Sequence, residues 1–466
     1  MDIFNKALLI GLLAGSAVAR DDFRPLEHLG GNSPWFKGPE VTGISPEVPN
    51  GCIVDLAASF SRHGSRYPDQ GAYNEWIALS THIHNASLTT RDSSLTFLSS
   101  WKPVLKSPVQ QIAQISATGY KELYDMGATY RLRYGDLYDY NTPLALWSNY
   151  YSSSPRVRDS ARLFARGFLG PNATDLGSIY ALNSSDPRSF MNSLAPSDLC
   201  PAYSDNGGGD PKTKWDSIYL PPIVKRLNKL VKGFQFTQAE VNIIPYLCGF
   251  ETQITGTNSP WCGIFTEDET LQYEYAQDLR YWYGNGLGTD IEKYTMVPVL
   301  DGLVKRFVDG PSATYKSSDG STFVPPKVII SFSNDGQINQ LAAAIGVFDS
   351  ESQLPSDRVP KDRLYRSSRV TSMRGTIGFE RLSCARKATY IRIRLNEVVY
   401  PVAGCQSGPG KSCPLSQYQK LVQKKLKAAG NYARICNVTN SAIPRDQNSA
   451  TFFTDAKLPF QTLIKP

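Results

Sequence analysis

The sequence predicts an α/β protein, in which a central sheet is flanked by helices and a smaller, mainly helical part is inserted. Three short apolar runs predict this class, because each leads into a polar turn and then into apolar residues at helical spacing. The runs cover residues 52–60, 144–149 and 328–332. With 466 residues, 41% of them hydrophobic, the chain can bury a large core and is not disordered. Its net charge of +7 is modest for this length and indicates no nucleic-acid partner.

The N-terminus predicts a secretory signal peptide over residues 1–19. Lys6 is followed by the apolar run 7–14, and Ala17-Val18-Ala19 is typical of a cleavage site. A membrane anchor would need about 20 apolar residues, and the run here is shorter. We therefore expect a secreted, extracellular protein with no membrane span, either released or associated with the cell wall.

Eight cysteines in an oxidising compartment are expected to pair. Spacing favours Cys248–Cys262 and Cys405–Cys413 as local loops and leaves the pairing of the other four open. The chain has no C-x-x-C or H-E-x-x-H pattern, so a zinc site is not expected. Four N-x-S/T sequons predict surface glycosylation; they begin at Asn85, Asn172, Asn183 and Asn437.

Composition divides the remaining chain into an arm and one large domain. Residues 20–50 are rich in Pro and Gly, which predicts an extended arm held to the body by Leu26, Trp35 and Phe36. Residues 51–466 follow as the main domain. We expect its α/β core at about 51–75, 135–170 and 301–466, and its mainly helical parts at about 76–134 and 171–300.

Apolar spacing predicts the helices in more detail. It favours one long helix over 111–134 with an irregularity at Gly119, and a helix that ends near Gly170. Further helices are predicted near 223–231 and 267–283, after the turn 333–336, and over 414–430, which has Pro at its start and Gly at its end. Alternation of apolar residues with Arg392, Arg394 and Asn396 predicts a half-exposed strand that turns at Asn396-Glu397.

The residues at the end of the first apolar run carry the strongest chemical signal. Anions bind beyond the carboxyl ends of strands in open α/β sheets, where backbone N–H groups favour them. Arg62 and Arg66 could each present a planar fork of donors to phosphate oxygens. His63 lies between them as a candidate nucleophile, and the positive charge of its neighbours should keep its lone pair free in acid. Gly64 is expected to let the backbone approach the substrate closely.

The run Arg62-His63-Gly64-Ser65-Arg66-Tyr67-Pro68 resembles the signature of the histidine acid phosphatases, particularly their fungal phytase-like branch. The segment Arg156-Val157…Ser160-Ala161 resembles the family segment that supplies a further phosphate-binding arginine, here Arg156. Residues 392–413 also resemble the fungal members, so the likeness extends from about residue 23 to 440.

The resemblance implies a histidine phosphatase fold, with a mixed central sheet flanked by helices and a smaller, mainly α-helical inserted domain. It implies a phosphomonoesterase that needs no metal or cofactor and works in acid. It further implies four disulfides, in agreement with the two local loops: Cys52–Cys384, Cys200–Cys436, Cys248–Cys262 and Cys405–Cys413.

One position departs from the family pattern. The usual motif after a later strand is His-Asp, and this chain has Asn334-Asp335. Asp335 resembles the family's proton donor, and it would have to be protonated when substrate arrives. Asn334 can still donate a neutral hydrogen bond to phosphate, but it carries no positive charge. The alternative interpretation of Asn334-Asp335-Gly336 is an ordinary turn and helix cap.

These observations predict a secreted acid phosphatase that acts on phosphate monoesters, phytate among the candidates, through a phosphohistidine. One alternative is a catalytically impaired member that binds phosphorylated ligands, which only Asn334 supports. Another is transfer of the phosphoryl group to an acceptor, which the signal peptide and sequons oppose. His82-Ile83-His84 could be read as a metal pair, but a surface loop is the favoured interpretation.

Overall fold

A central mixed sheet runs through the computed structural model, which describes residues 23–150 and 155–466. The predicted signal peptide lies outside the described residues, as does most of the turn predicted before Arg156. The strands are β1 (Cys52–Arg62), β2 (Thr89–Thr90), β3 (Leu144–Asn149), β4 (Gly177–Leu182), β5 (Val231–Lys232), β6 (Tyr315–Lys316), β7 (Thr322–Phe323), β8 (Val328–Ser333), β9 (Thr376–Cys384), β10 (Thr389–Leu395), β11 (Val398–Tyr400), β12 (Cys413–Pro414) and β13 (Gln461–Ile464).

Helices flank this sheet. They are α1 (Gln70–Asn85), α2 (Pro108–Gln111), α3 (Ala117–Arg133), α4 (Arg156–Leu169), α5 (Ala173–Leu176), α6 (Gly209–Leu230), α7 (Gln238–Thr255), α8 (Glu267–Asn285), α9 (Glu292–Thr295), α10 (Val297–Asp309), α11 (Asp335–Ala344), α12 (Ser368–Thr371), α13 (Leu415–Ala429) and α14 (Tyr432–Ile435). Short 3₁₀ turns at Pro25–His28 and Gly30–Asn32 interrupt the otherwise extended N-terminal arm.

The strand order of the main sheet is β11-β10-β9-β1-β8-β3-β4-β13, with β12 paired to β10. β1 is parallel to β8 and antiparallel to β9, while β3 lies parallel to both β8 and β4. The predicted mixed α/β architecture is therefore confirmed. The three apolar runs form β1, β3 and β8, and all six residues of β8 are buried, as a central strand requires.

The long helix predicted over 111–134 begins later than expected. Ile115 forms an isolated bridge with Arg66, and α3 starts at Ala117 with Ser116 as its N-cap. Ile112 and Ile115 therefore lie in a connecting segment and not in the helix. This segment hydrogen-bonds to residues 67 and 68. Gly119 lies in the first turn of α3, where a Cβ would be 2.1 Å from the Ser65 carbonyl oxygen.

Four strands of the main sheet fall where no strand was predicted: β4, β9, β12 and β13. β4 lies inside the segment 171–300 and pairs with β3, and β13 near the C-terminus pairs with β4. Helices α6, α7 and α8 are the longest elements of that segment. The division into an α/β core and mainly helical parts stays a prediction, and β4 extends the core sheet into the second of those parts.

The half-exposed strand predicted around residue 391 is wrong in one respect. β10 forms, and the chain turns at Asn396-Glu397, but Arg392 and Arg394 are buried. Both guanidinium groups donate to the carboxylate of Glu380 on β9, at 2.6 and 3.0 Å. The alternation of arginine with apolar residues therefore reflects a buried ion pair rather than a solvent-exposed face.

Cross-links and surface features complete the scaffold. The structure contains the four disulfides that the resemblance implied: Cys52–Cys384, Cys200–Cys436, Cys248–Cys262 and Cys405–Cys413. The four sequon asparagines are exposed.

His82 and His84 lie on helix α1 rather than in a loop. His82 contacts Glu240 at 2.6 Å, and His84 contacts the Ser80 carbonyl at 2.7 Å. Across the described part of the chain, no helix combines the length and apolarity needed to cross a membrane.

Candidate active site

Two parallel strands bring the predicted catalytic residues together. In the register of β1 and β8, Arg62 lies beside Ser333, so His63 and Asn334-Asp335 follow neighbouring carboxyl ends. The His63 amide donates to the Ser333 carbonyl at 3.1 Å, which ties the two ends together. Arg156, the first residue of α4, enters from the unit that follows β3. The site is thus built where an open α/β sheet is expected to bind ligands.

The imidazole of His63 is buried and held in one orientation. Its Nδ1 lies 2.9 Å from the Gly64 carbonyl oxygen, which can only accept, so Nδ1 carries the hydrogen. In the neutral ring the lone pair is therefore on Nε2. Burial lowers the pKa of His63 well below its usual range, and the charges of Arg156, Arg62 and Arg66 lower it further. A neutral, nucleophilic imidazole is the form that this environment favours down to acid pH.

Arg62 and Arg66 are fixed largely by backbone oxygens. The Arg62 Nη1 donates to the carbonyls of Gly31 and Thr371, at 2.5 and 2.6 Å. Its Nη2 lies 3.7 Å from Asp335 Oδ2. The Arg66 Nη1 donates to the Tyr67 carbonyl at 2.9 Å, and its guanidinium lies over the ring of Phe250. Carbonyl partners orient both side chains without cancelling their charge.

Burial and mutual repulsion lower the pKa values of Arg66 and Arg156. Burial lowers the pKa of Arg66, and the nearby charge of Arg62 adds to the effect. Burial also lowers the pKa of Arg156 to about 10, with Arg66 as the next contributor. A cluster of cations that is crowded in the folded chain is relieved by a bound anion, because the anion supplies the missing negative charge.

Asp335 begins helix α11 and lies beside the cluster. Burial opposes its ionisation, but the charges of Arg62 and Arg280 and a hydrogen bond from Tyr281 outweigh burial and hold the pKa of Asp335 well below its usual range. The Tyr281 hydroxyl donates to Oδ2 at 2.6 Å. The sequence led us to expect a protonated Asp335 when substrate arrives, whereas the neighbouring protein groups favour the carboxylate.

Asn334 occupies the N-cap position of α11, yet its side chain makes no capping hydrogen bond. Its Oδ1 is buried and has no hydrogen-bond partner among the described residues. The capping interpretation therefore explains the backbone position of Asn334 but not its side chain. The amide remains available to a ligand that reaches the cluster.

The loop after β1 is held from behind by Glu122 on α3. Its carboxylate accepts from the Ser65 amide and the Ser65 hydroxyl, at 2.8 and 2.7 Å. A Cβ on Gly64 would lie 2.8 Å from Leu123 and 3.0 Å from the Gly119 carbonyl. The missing side chain of Gly64 therefore allows close packing of the loop on α3, and the close approach of its backbone to a substrate stays a prediction.

Sequence reasoning missed three residues of this site: Glu122, Tyr281 and Arg280. Glu122 and Tyr281 reach Ser65 and Asp335 across 57 and 54 residues of sequence, and neither belongs to a local motif. Arg280 is paired with Asp205 at 2.9 Å. A weak signal existed in the acidic and aromatic content of the helix predicted at 267–283, but nothing in it pointed to Asp335.

The arrangement can bind a phosphate group and attack it. Positive side chains surround a buried imidazole with a free Nε2, and a carboxylate stands close by for proton transfer. Among the described residues, no cluster of His, Cys, Asp and Glu has the arrangement of a metal site. This fold and this cluster of side chains are those expected of an enzyme that handles phosphate groups.

Comparison with known proteins narrows this class. The histidine phosphatase superfamily (branch 2) matches residues 54–396, and the chain belongs to this superfamily. It is 28% identical to a phytase of Candida albicans, over 93% of this chain and 90% of that protein. It is 27% identical to the constitutive acid phosphatase of Saccharomyces cerevisiae, over 92% and 89%. The crystal structure of the phytase from D. castellii superposes with a TM-score of 0.82 at 25% identity, over 97% and 98% of the two chains.

These likenesses agree with the site. The protein is a phosphomonoester hydrolase of the histidine phosphatase superfamily. The resemblance read from Arg62–Pro68 is confirmed by the match over residues 54–396.

Proposed function

We propose that the protein hydrolyses phosphate monoesters in acid through a phosphohistidine on His63. The observation that carries this proposal is the hydrogen bond from His63 Nδ1 to the Gly64 carbonyl, which leaves Nε2 as the nucleophile. The low pKa of the imidazole preserves that lone pair at a pH where an exposed histidine would be protonated.

In the first step the Nε2 lone pair forms a bond to phosphorus and the ester P–O bond breaks. Arg62, Arg66 and Arg156 neutralise the oxygens of the transferring group, which lowers the barrier to attack by a neutral nucleophile. Asn334 donates a further neutral hydrogen bond to the same oxygens. The leaving alkoxide is strongly basic and takes a proton from Asp335 as the bond breaks.

Asp335 obtains this proton only when substrate is present. Arg62 and Arg280 lower its pKa in the ligand-free site, and a bound phosphate group offsets their charge. The pKa of Asp335 therefore rises on binding, and the proton comes from the substrate monoanion or from acidic solvent. This coupling gives an acid pH optimum without a carboxyl group that is neutral at rest.

In the second step water attacks phosphorus on the side opposite His63. The Asp335 carboxylate removes the proton of the water, the P–N bond breaks, and inorganic phosphate leaves with His63 neutral again. Each step conserves charge and protons with no metal or other cofactor. We therefore expect turnover to continue in excess chelator; loss of activity that zinc or magnesium restores would contradict the mechanism.

Phosphorylated small molecules are the proposed substrates, with inositol hexakisphosphate as one candidate. Relatives named phytase and relatives named acid phosphatase match this chain at similar identity. The substrate is therefore best defined by a ratio of rates. A strong preference for the inositol ester over a simple aryl phosphate would make phytase the appropriate description.

The deciding experiment measures phosphate release from p-nitrophenyl phosphate and from phytate, from about pH 2 to about pH 8. The wild type is compared with His63→Ala and with His84→Ala, a matched control on the exposed face of α1. Acid hydrolysis that disappears in His63→Ala and persists in His84→Ala supports the proposal. A folded wild type that releases no phosphate from either ester would favour a ligand-binding member, and an isomerised ester as product would favour phosphoryl transfer.

We also propose that the chain is secreted, cut after Ala19 and glycosylated. The exposure of all four sequon asparagines supports the last point. Mass spectrometry of protein from the culture medium tests all three: we expect an N-terminus at Arg20 and a loss of mass after treatment with an endoglycosidase. An intact N-terminus at Met1 would contradict cleavage.

A further inference from the structure

Arg374 lies directly behind the nucleophile and has an unusual backbone. Its amide donates to the His63 carbonyl at 2.8 Å, and its own carbonyl accepts from the Thr376 hydroxyl at 2.7 Å. Its φ of 55° is in the left-handed region, which a long side chain rarely adopts. Such conformations concentrate at functional sites, so the position of this side chain calls for a role.

The side chain of Arg374 is buried near charged groups but makes no direct polar contact with them. Only 4% of the residue is exposed, and its guanidinium carbon lies 3.8 Å from the centre of the Trp35 ring. Within residues 23–150 and 155–466 the guanidinium makes no hydrogen bond or ion pair, and its Nε is buried without a partner. Buried charged groups are ordinarily paired, because an isolated charge is costly to remove from water.

This guanidinium lines a cavity of about 480 Å³ between the N-terminal arm, α3 and the end of β10 with the turn that follows it. Lys37 and Lys121 lie at its edge, at more than half of their full side-chain exposure. Carboxylates also line it, but each has other partners. Asp125 pairs with Lys121, and Glu397 pairs with Arg133.

The last carboxylate of the cavity, Glu122, is engaged on its inner side. It accepts from the amide of Trp35 at 3.2 Å, in addition to its two hydrogen bonds from Ser65. Within the described chain, Arg374 is thus the cation of this cavity that lacks a direct counterpart. An arginine on an aromatic ring, with lysines at the entrance, is suited to a small oxyanion.

We propose that the Arg374 cavity is a second oxyanion site, separate from the catalytic cluster, that holds a phosphate-sized anion against the guanidinium. The Arg374 amide connects this site to the His63 carbonyl, so occupancy of the cavity acts on the strand end that carries the nucleophile. The site requires no reaction at His63, and its existence is independent of the proposed mechanism.

Binding in the cavity should strengthen as the pH falls. The groups that face the guanidinium are Glu122, Asp125, Glu397 and the phenol of Tyr130, with Arg133 and Arg394 as the other nearby cations. Burial raises the pKa of Glu122, so this carboxylate is among those that lose their charge as acid is added. Protonation of Glu122 removes negative charge that faces the guanidinium and competes with the ligand, while Arg374 stays charged.

Calorimetric titration with inorganic phosphate at about pH 5 tests the proposal. The wild type should bind a second phosphate in addition to the one at the catalytic cluster. Arg374→Gln should lose one of the two, and Arg374→Lys, which keeps the charge, should retain both with weaker affinity. Arg156→Gln should weaken the other phosphate and leave the Arg374 site occupied. Titration of the wild type with sulfate separates a general oxyanion site from one that accepts only the product.

If Arg374→Gln fails to fold, a second variant still tests the proposal. Lys121 is exposed at the cavity edge and outside the catalytic cluster, so Lys121→Gln should fold and should weaken the second phosphate several-fold. A single phosphate on the wild type would overturn the proposal. So would a folded Arg374→Gln that still binds both, or a Lys121→Gln whose second affinity is unchanged.

Discussion

Two clusters of buried arginines lie on neighbouring strands of the same sheet and serve different purposes. On β9 and β10, Glu380 accepts from Arg392, from Arg394 and from the hydroxyl of Tyr134, which lies at 2.8 Å. At the end of β1, Arg62 and Arg66 approach Asp335 and Asp69 only at 3.7 and 3.6 Å. In the first cluster a carboxylate accepts hydrogen bonds from both arginines, whereas in the second the carboxylates lie beyond hydrogen-bond distance.

The ionisation of the two clusters shows the same contrast. Burial opposes the charge on Glu380, but Arg394 and Arg392 outweigh it and lower the pKa of that carboxyl. At the site, burial and the charge of Arg62 act together to lower the pKa of Arg66. Burial of arginine is therefore not by itself a sign of function; a buried arginine points to a ligand when its carboxylate partner is distant.

The strongest test of the difference between the two arginine clusters is Glu380→Gln. This substitution leaves two buried guanidinium groups without their carboxylate. We expect the free energy of unfolding to fall by about 3–5 kcal/mol at neutral pH, with kcat/KM of the folded fraction nearly unchanged. Denaturant unfolding followed by circular dichroism measures the first quantity and steady-state kinetics the second.

The pH dependence of this loss has a definite sign. Because the pKa of Glu380 is lowered in the folded state, its contribution is complete above the unfolded value of about 4.3 and is lost as the pH falls through the lowered folded value. The gap between wild type and Glu380→Gln should therefore narrow in strong acid. If the difference in free energy of unfolding widened in acid, the negative charge of Glu380 would not be what stabilises the two arginines.

The reverse outcome is expected for Arg66→Gln. Removal of one phosphate-binding charge should lower kcat/KM by about 10²–10³-fold. Stability should be maintained or increased, because the charged form of Arg66 is disfavoured in the folded chain. Arg166→Gln, on the exposed face of α4, is the matched control for loss of an arginine. A large fall in melting temperature for Arg66→Gln would place this residue with the structural cluster instead.

The same contrast explains which parts of the fold and of the site could be predicted from the sequence. Strands β1, β3 and β8 follow from apolar runs, and Arg62, His63 and Arg66 are adjacent in one motif, so local pattern suffices for them. Burial of Arg392 could not be inferred, because its partner Glu380 lies on another strand and alternation with apolar residues looks the same on an exposed strand. Glu122 and Tyr281 act across more than 50 residues of sequence, and only the packed helices α3 and α8 bring them to the site.

Tyr281 allows a test of how the site controls the ionisation of Asp335, since its hydroxyl stabilises the charged form of that carboxyl. Tyr281→Phe removes a hydrogen bond to a carboxylate, worth about 1.5–3 kcal/mol. The pKa of Asp335 should rise, so its protonated form should persist to higher pH. We expect the alkaline limb of the kcat profile to move upward by about one pH unit.

Tyr283→Phe is the control for this shift, because that hydroxyl donates to the Leu354 carbonyl from the same helix and does not contact Asp335. Its kcat profile should match that of the wild type. If Tyr281→Phe also left the alkaline limb in place, Asp335 would not be the group whose protonation limits turnover.

The smallest expected effect concerns Asn334, where the family pattern has a histidine. Asn334→His would add a donor that becomes cationic in acid, and a charge-assisted hydrogen bond exceeds a neutral one by about 1 kcal/mol. We expect KM for p-nitrophenyl phosphate to fall by about fivefold at low pH, and this gain to fade as the pH rises past about 6.5. Asn334→Gln keeps the amide without the charge and should show no such pH dependence. If Asn334→His instead left KM unchanged at every pH, the Asn334 side chain would lie outside the reach of the phosphate, and the three arginines would account for phosphate binding without it.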